Sequence, residues 1–134
     1  FSSNSASLSK STTAYTAPSS ANAVPTNTLE VSQSQTDGGA SNSGYTAGGA
    51  ALTASADPVL SGDTACVKFN DVSFTSATFT ARGCLIYNST AVTGFTTNRA
   101  VCAVNFGADK TVTSGTFTVQ FPAQTAGNAI VQIA

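Results

Sequence analysis

The chain has 134 residues, the size of one domain that buries about two thirds of its unfolded surface. Only 8% of its residues are charged, where about 25% is typical, so Ser and Thr make a neutral, hydroxyl-rich surface. The net charge of -1 supplies no basic field for nucleic acid or an anionic membrane, and weak self-repulsion suits a protein held in an assembly.

Residues 1–43 are dominated by Ser, Thr, Ala, Asn and Gln. Ala17-Pro18 and Val24-Pro25 break any helix, Leu29–Val31 could form one short strand, and Thr36–Gly44 reads as a loop. This segment is expected to be an extended arm or long loops lying on a partner. Unrecognised short strands and disorder are the other readings. Its apolar content is too thin to offset an ordering entropy of roughly 1–2 kcal/mol per residue. Neighbouring chains are therefore expected to order it, with Tyr15, Leu29 and Val31 as anchors and Tyr45 as a further partner contact. The chain begins at Phe1, not Met, and no signal peptide is read, so the start is expected to be processed, truncated or left out.

From Gly44 the pattern changes to period two, which predicts a second region, 44–134, as an antiparallel β-sandwich, jelly-roll-like or immunoglobulin-like. Thr64–Phe74 alternates around a turn-like Asn70-Asp71. Ala77–Tyr87 puts Phe79, Ala81, Gly83, Leu85 and Tyr87 on one face and Arg82, Cys84 and Ile86 on the other. Arg99–Phe106 is nearly all apolar and predicts a central strand covered on both sides. Gly115–Phe121 alternates cleanly and stops at Pro122, and the segment from Asn128 supplies a last strand. Turns are expected at Ser61–Asp63, from Val92, at Gly107–Lys110 and at Thr113–Gly115. The expected core is Phe79, Leu85, Val101, Val104, Phe106, Phe117, Val119 and Phe121.

The inventory for chemistry is poor. There is no histidine, so neither a Ser-His-Asp nor a Cys-His arrangement can be built, and zinc has few ligands to draw on. Glu30 lies in the arm, and the aspartates Asp37, Asp57, Asp63, Asp71 and Asp109 fall mostly at turn positions. "GYTAGG", Gly44–Gly49, has the glycines of a phosphate loop, but no lysine follows and Ala50-Ala51-Leu52 leads into an alternating strand instead of a helix, so the segment reads as a strand entry with the Tyr45 ring packed over its glycines. No catalytic, cofactor or metal site is expected. A hairpin turn centred near Thr93 sets Cys84 opposite Cys102, at a Cβ separation of ~4.5–5.5 Å that is slightly wide for a relaxed disulfide. The other reading makes Cys66, Cys84 and Cys102 small buried apolar residues. "NST" at Asn88 matches a glycosylation acceptor at a frequency close to chance in so hydroxyl-rich a chain.

The segments "GYTAGGAAL", "CVKFNDVSFTSATFTARGCLIYN" and "AVNFGADKTVTSGTFTVQFPA" resemble a family of small structural proteins of tailed bacteriophages. Members of that family carry GYTAGG leading to a strand, then ARxxxIY, then FGxDxxxxxGxFxIxxP. The resemblance covers Gly44 to about Ala123, and "LSKSTTAYTA" near the start also fits. Members usually carry a further N-terminal stretch and a shorter link than Pro18–Ser43. The resemblance implies a non-enzymatic virion protein, a capsid decoration (cement) protein on the outer surface of the head. Its partner would be the major capsid protein, bound as a homotrimer around a local symmetry axis, with no nucleic acid or membrane. A tail, neck or fibre component of the same virion is the alternative, and a carbohydrate-binding β module a second one.

Overall fold

The computed structural model describes residues 1, 12, 31, 44–46, 48–95 and 97–133, and in it the chain is all-β with two antiparallel sheets. The strands are β1 (Val59–Ser61), β2 (Thr64–Val67), β3 (Val72–Asn88), β4 (Arg99–Val119) and β5 (Val131–Ile133). One sheet has the order β1-β2-β5 and the other pairs β3 with β4. The chain divides into two compact units: Phe1–Gly49 with Ser76–Gly115, and Ala50–Thr75 with Thr116–Ala134. No helix among the described residues is long and apolar enough to cross a membrane.

β1 and β2 form a tight hairpin, with Ser61 opposite Thr64 and Gly62 at φ 63 in the first loop position. A positive φ there is what a type II′ turn demands, and glycine meets it without steric cost. The Val59-Leu60 pair before this turn is the strand that alternation did not reveal, because three residues are too few to show a period. Residues Ala50–Leu52 form no strand, and Ala54 makes only an isolated bridge with Phe69.

β3 and β4 are longer than expected. β4 absorbs both Arg99–Phe106 and Gly115–Val119, so the turn signals at Gly107–Lys110 and Thr113–Gly115 lie inside one strand. Gly107 has φ 76 and Ser114 φ 47, and β3 has its own left-handed residue, Ser76, at φ 52. A left-handed residue within a strand marks a bulge, which shifts the inward phase by one residue. The burial pattern follows: Phe74 is buried before Ser76, then Ala77, Phe79 and Ala81 after it. In β4 the exposed threonines are Thr111 and Thr113 before Ser114, then Thr116 and Thr118 after it. Each strand thus re-phases at its left-handed serine and keeps its hydroxyls on one face within each unit.

Cross-strand bonds on that face show the register: Ser73 Oγ to Thr118 Oγ1 at 2.9 Å, Thr80 Oγ1 to Thr111 Oγ1 at 2.9 Å, and Arg82 to Asp109 at 3.4 Å. Thr80 thus lies opposite Thr111, where a hairpin centred on Thr93 pairs it with Phe106. The turn between the strands is close to its expected place: the Phe95 N–H donates to Val92 O at 3.1 Å, with Gly94 at φ 83.

The core differs from expectation in its occupants. Phe79 and Phe121 are buried, whereas Leu85, Val104, Phe106, Phe117 and Val119 are half-buried. Val101 is 52% exposed, and β4 alternates there, with Cys102 and Val104 half-buried and Ala103 and Asn105 exposed. The expectation of cover on both sides fails because β4 belongs to a two-stranded sheet. Val31 and Tyr45, expected to face a partner, are core residues at 0% and 1% exposure. The anchors Tyr15 and Leu29 lie outside the described residues, as does most of 1–43.

Candidate functional site

The segment Gly44–Gly49 is built around one ring. Gly44, Gly48 and Gly49 have φ 88, 90 and 81, a backbone path that β-carbons would strain. The path sends Tyr45 into an aromatic cluster, 5.5 Å from Phe1 and 5.6 Å from Phe79 between ring centroids. Phe1 also stacks on Phe79 at 5.4 Å and tilts against Phe106 at 6.3 Å. The Phe1 amino group donates to Tyr45 Oη at 2.8 Å, and the Val31 N–H donates to Phe1 O at 3.0 Å. Phe1 and Val31 are the core contributors that pattern reading missed, since nothing local marks a lone apolar residue in a polar segment as buried.

Two backbone groups of the segment are engaged, one a donor that a phosphate loop would offer. The Gly49 N–H donates to Thr46 O at 2.9 Å, and Gly48 O accepts from Tyr87 Oη at 2.8 Å. The segment is therefore a clasp, with Tyr45 inserted and Tyr87 holding its far end. Gly83 serves the same packing from β3. A Cβ placed there would meet Val104 O at 2.5 Å, so the two backbones approach as closely as only glycine permits.

Among the described residues the titratable groups do not converge. Arg82 and Asp109 pair at 3.4 Å on the outer face, with Asp109 63% exposed, which makes a screened surface bridge. Burial pushes the Cys84 thiol up to about 11, the nearby amino terminus opposes this, and Cys102 adds to it. Cys102 is also raised by burial. Cys66, Cys84 and Cys102 are all free thiols, and a raised pKa keeps the last two protonated and unreactive at neutral pH. Among the described residues no group of His, Cys, Asp and Glu could hold a metal ion.

The hydroxyl-rich surface also exposes a few large apolar side chains. Phe95 is 63% exposed at the β3–β4 turn, with the Arg99 guanidinium 5.1 Å from its ring centroid. Leu60 and Ile133 are 76% and 72% exposed on the three-stranded sheet. These are features of contact surfaces rather than of a reaction centre. No protein-family model, curated protein or solved structure matches this chain.

Proposed function

We propose that this is a structural protein of a tailed-bacteriophage virion, attached in many copies to the outer surface of the head as a decoration protein. The observation that carries the reading is where the resembling segments fall. Tyr87, from the ARxxxIY segment, bonds Gly48 of the GYTAGG segment. Arg82, from the same ARxxxIY segment, pairs with Asp109 of the FGxD segment. Parts of all three resembling segments thus meet within the unit Phe1–Gly49 with Ser76–Gly115, as residues kept for architecture would, while Cys66–Thr75 and Thr116–Ala123 fall in the other unit. The sandwich form of the fold, jelly-roll-like or immunoglobulin-like, belongs to the same proposal.

A low-charge, hydroxyl-rich surface supports the reading, because broad contact through backbone and small side chains requires few ion pairs. A carbohydrate module would instead present a free ring face for a sugar. Phe95, the exposed aromatic among the described residues, has Arg99 over its face. The test is copy number in purified particles, from quantified gel bands or mass spectrometry. A decoration protein is present in copies comparable to the major capsid protein. A count of a few to tens would assign it to the tail, neck or fibre, and its absence from particles would end the virion reading.

A further inference from the structure

The tip of the β3–β4 hairpin exposes an apolar cluster that carries one cation. Val92 and Phe95 are 41% and 63% exposed, and the Phe95 N–H bond to Val92 O at 3.1 Å fixes the turn that joins them. The Arg99 guanidinium lies over the Phe95 ring, 5.1 Å from its centroid. Val101, 52% exposed, is two residues further along β4 and so shares a face with Arg99. All four belong to one compact unit. The sequence has no Asp or Glu from Val72 to Ala108, so this hairpin holds Arg82 and Arg99 and no acid before Asp109. Arg82 reaches Asp109 at 3.4 Å, whereas Arg99 has no carboxylate partner among the described residues. A guanidinium held over a ring keeps its N–H donors around its edge, in the fork that fits a planar carboxylate.

We infer that this tip is the anchor by which the protein attaches to another protein, with Phe95 entering an apolar pocket and Arg99 pairing with a carboxylate at the pocket's rim. The inference rests on the head attachment proposed above and names the surface that makes it. Charge complementarity selects the occupant: an arginine without an acid of its own is matched by an acid on the partner. A buried ring beside an arginine is also the composition that carries most of the energy in protein contacts. The ring holds the guanidinium in place beforehand, so less side-chain freedom is lost on binding. An anionic bilayer or a nucleic acid would be gripped by several cations, whereas the tip has one and the whole chain carries a net charge of -1. A sugar would stack on the ring face that Arg99 already covers.

The test is binding of the full chain to purified heads of its virion made without this protein, read by co-sedimentation at low and high salt. The wild type is expected to bind, and to bind less as salt rises. Phe95→Ser and Arg99→Gln are each expected to weaken binding about tenfold or more, and Arg99→Gln to lose most of the salt dependence. Arg99→Lys keeps the charge without the fork and is expected to fall between the wild type and Arg99→Gln. Leu60→Ser, at an exposed apolar residue of the other sheet, is expected to bind like the wild type. Should Phe95→Ser fail to fold by circular dichroism, the affinity and salt dependence of Arg99→Gln decide. Folded Phe95 and Arg99 variants that bind heads like the wild type overturn the inference and leave head attachment standing. Wild-type binding to mixed phosphatidylcholine–phosphatidylserine vesicles that Phe95→Ser abolishes would make the tip a lipid anchor and overturn it equally. A wild type that does not bind such heads overturns head attachment, and the inference with it.

Discussion

The unit holding Tyr45 gathers three rings, whereas the unit holding Cys66 joins one ring pair, Phe69 edge-on to Phe121 at 5.7 Å, to polar side chains that bind backbone. In the first, Phe1, Tyr45 and Phe79 stand 5.4 to 5.6 Å apart, and the long paired stretches of β3 and β4 between Ser76 and Gly115 supply the backbone ladder. In the second, β1 and β5 have three residues each, so much of the surrounding chain finds no ladder partner. Side chains take over: Gln124 Nε2 donates to Asp57 O and Cys66 O, both at 3.0 Å. Asp71 Oδ1 accepts from the Phe121 N–H at 2.9 Å, and Gln132 both accepts from the Gly127 N–H and donates to Ala129 O at 2.8 Å. A chain poor in large apolar residues can thus order irregular segments by satisfying backbone groups that would otherwise be costly to bury. The residues that matter in the two units should therefore respond to different perturbations.

The largest effect should come from the ring cluster. Phe79→Ala is expected to cost about 3–5 kcal/mol in urea unfolding, because its ring is buried against two others. Phe117→Ala, at a half-buried position, should cost distinctly less. A cost for Phe79→Ala below about 1 kcal/mol would mean that the rings are not what closes the first unit. Gly83→Ala follows, at about 1–3 kcal/mol or somewhat more, since the new methyl meets a backbone carbonyl that cannot swing away. A neutral result would show the β3–β4 approach to be looser than described.

The next perturbation is alkaline pH. The folded Cys84 thiol titrates near 11 against an ordinary 9.0, so between those values the unfolded chain has lost a proton that the folded chain keeps. Stability is therefore complete below about pH 9 and falls as pH rises toward 11, by about 2 kcal/mol at the end of the window. Cys84→Ala should flatten the pH dependence without abolishing it, because Cys102 is raised as well. Thermal melts from about pH 8 to about pH 11, which span the window, would read this directly.

In the second unit, Asp71→Ala should cost about 1 kcal/mol by leaving the Phe121 N–H without its acceptor. Asp71→Asn retains an acceptor oxygen and should recover most of the loss, an outcome that simple loss of packing would not give. The smallest effect belongs to the surface bridge: Asp109→Asn should cost less than about 0.5 kcal/mol and lose even that in high salt. A larger, salt-insensitive cost would move Arg82 into the group that holds the first unit together.

The β character of the chain, its tight turns at Gly62-Asp63 and Val92–Phe95, and the inward phase of Phe79 and Ala81 were legible in the sequence. These depend on neighbours one to three residues away, where alternation and glycine placement act directly. Tertiary structure alone decided that the glycine and serine signals at Gly107 and Ser114 bend one strand instead of separating two. A left-handed residue has the same local signature in a turn and in a bulge, and only the opposing strand selects between them. It likewise decided that Phe1 packs against Tyr45 and that Val31 is buried, while Leu60, Val101 and Ile133 face outward. Burial depends on which distant surfaces meet, and an apolar side chain does not itself specify what will cover it.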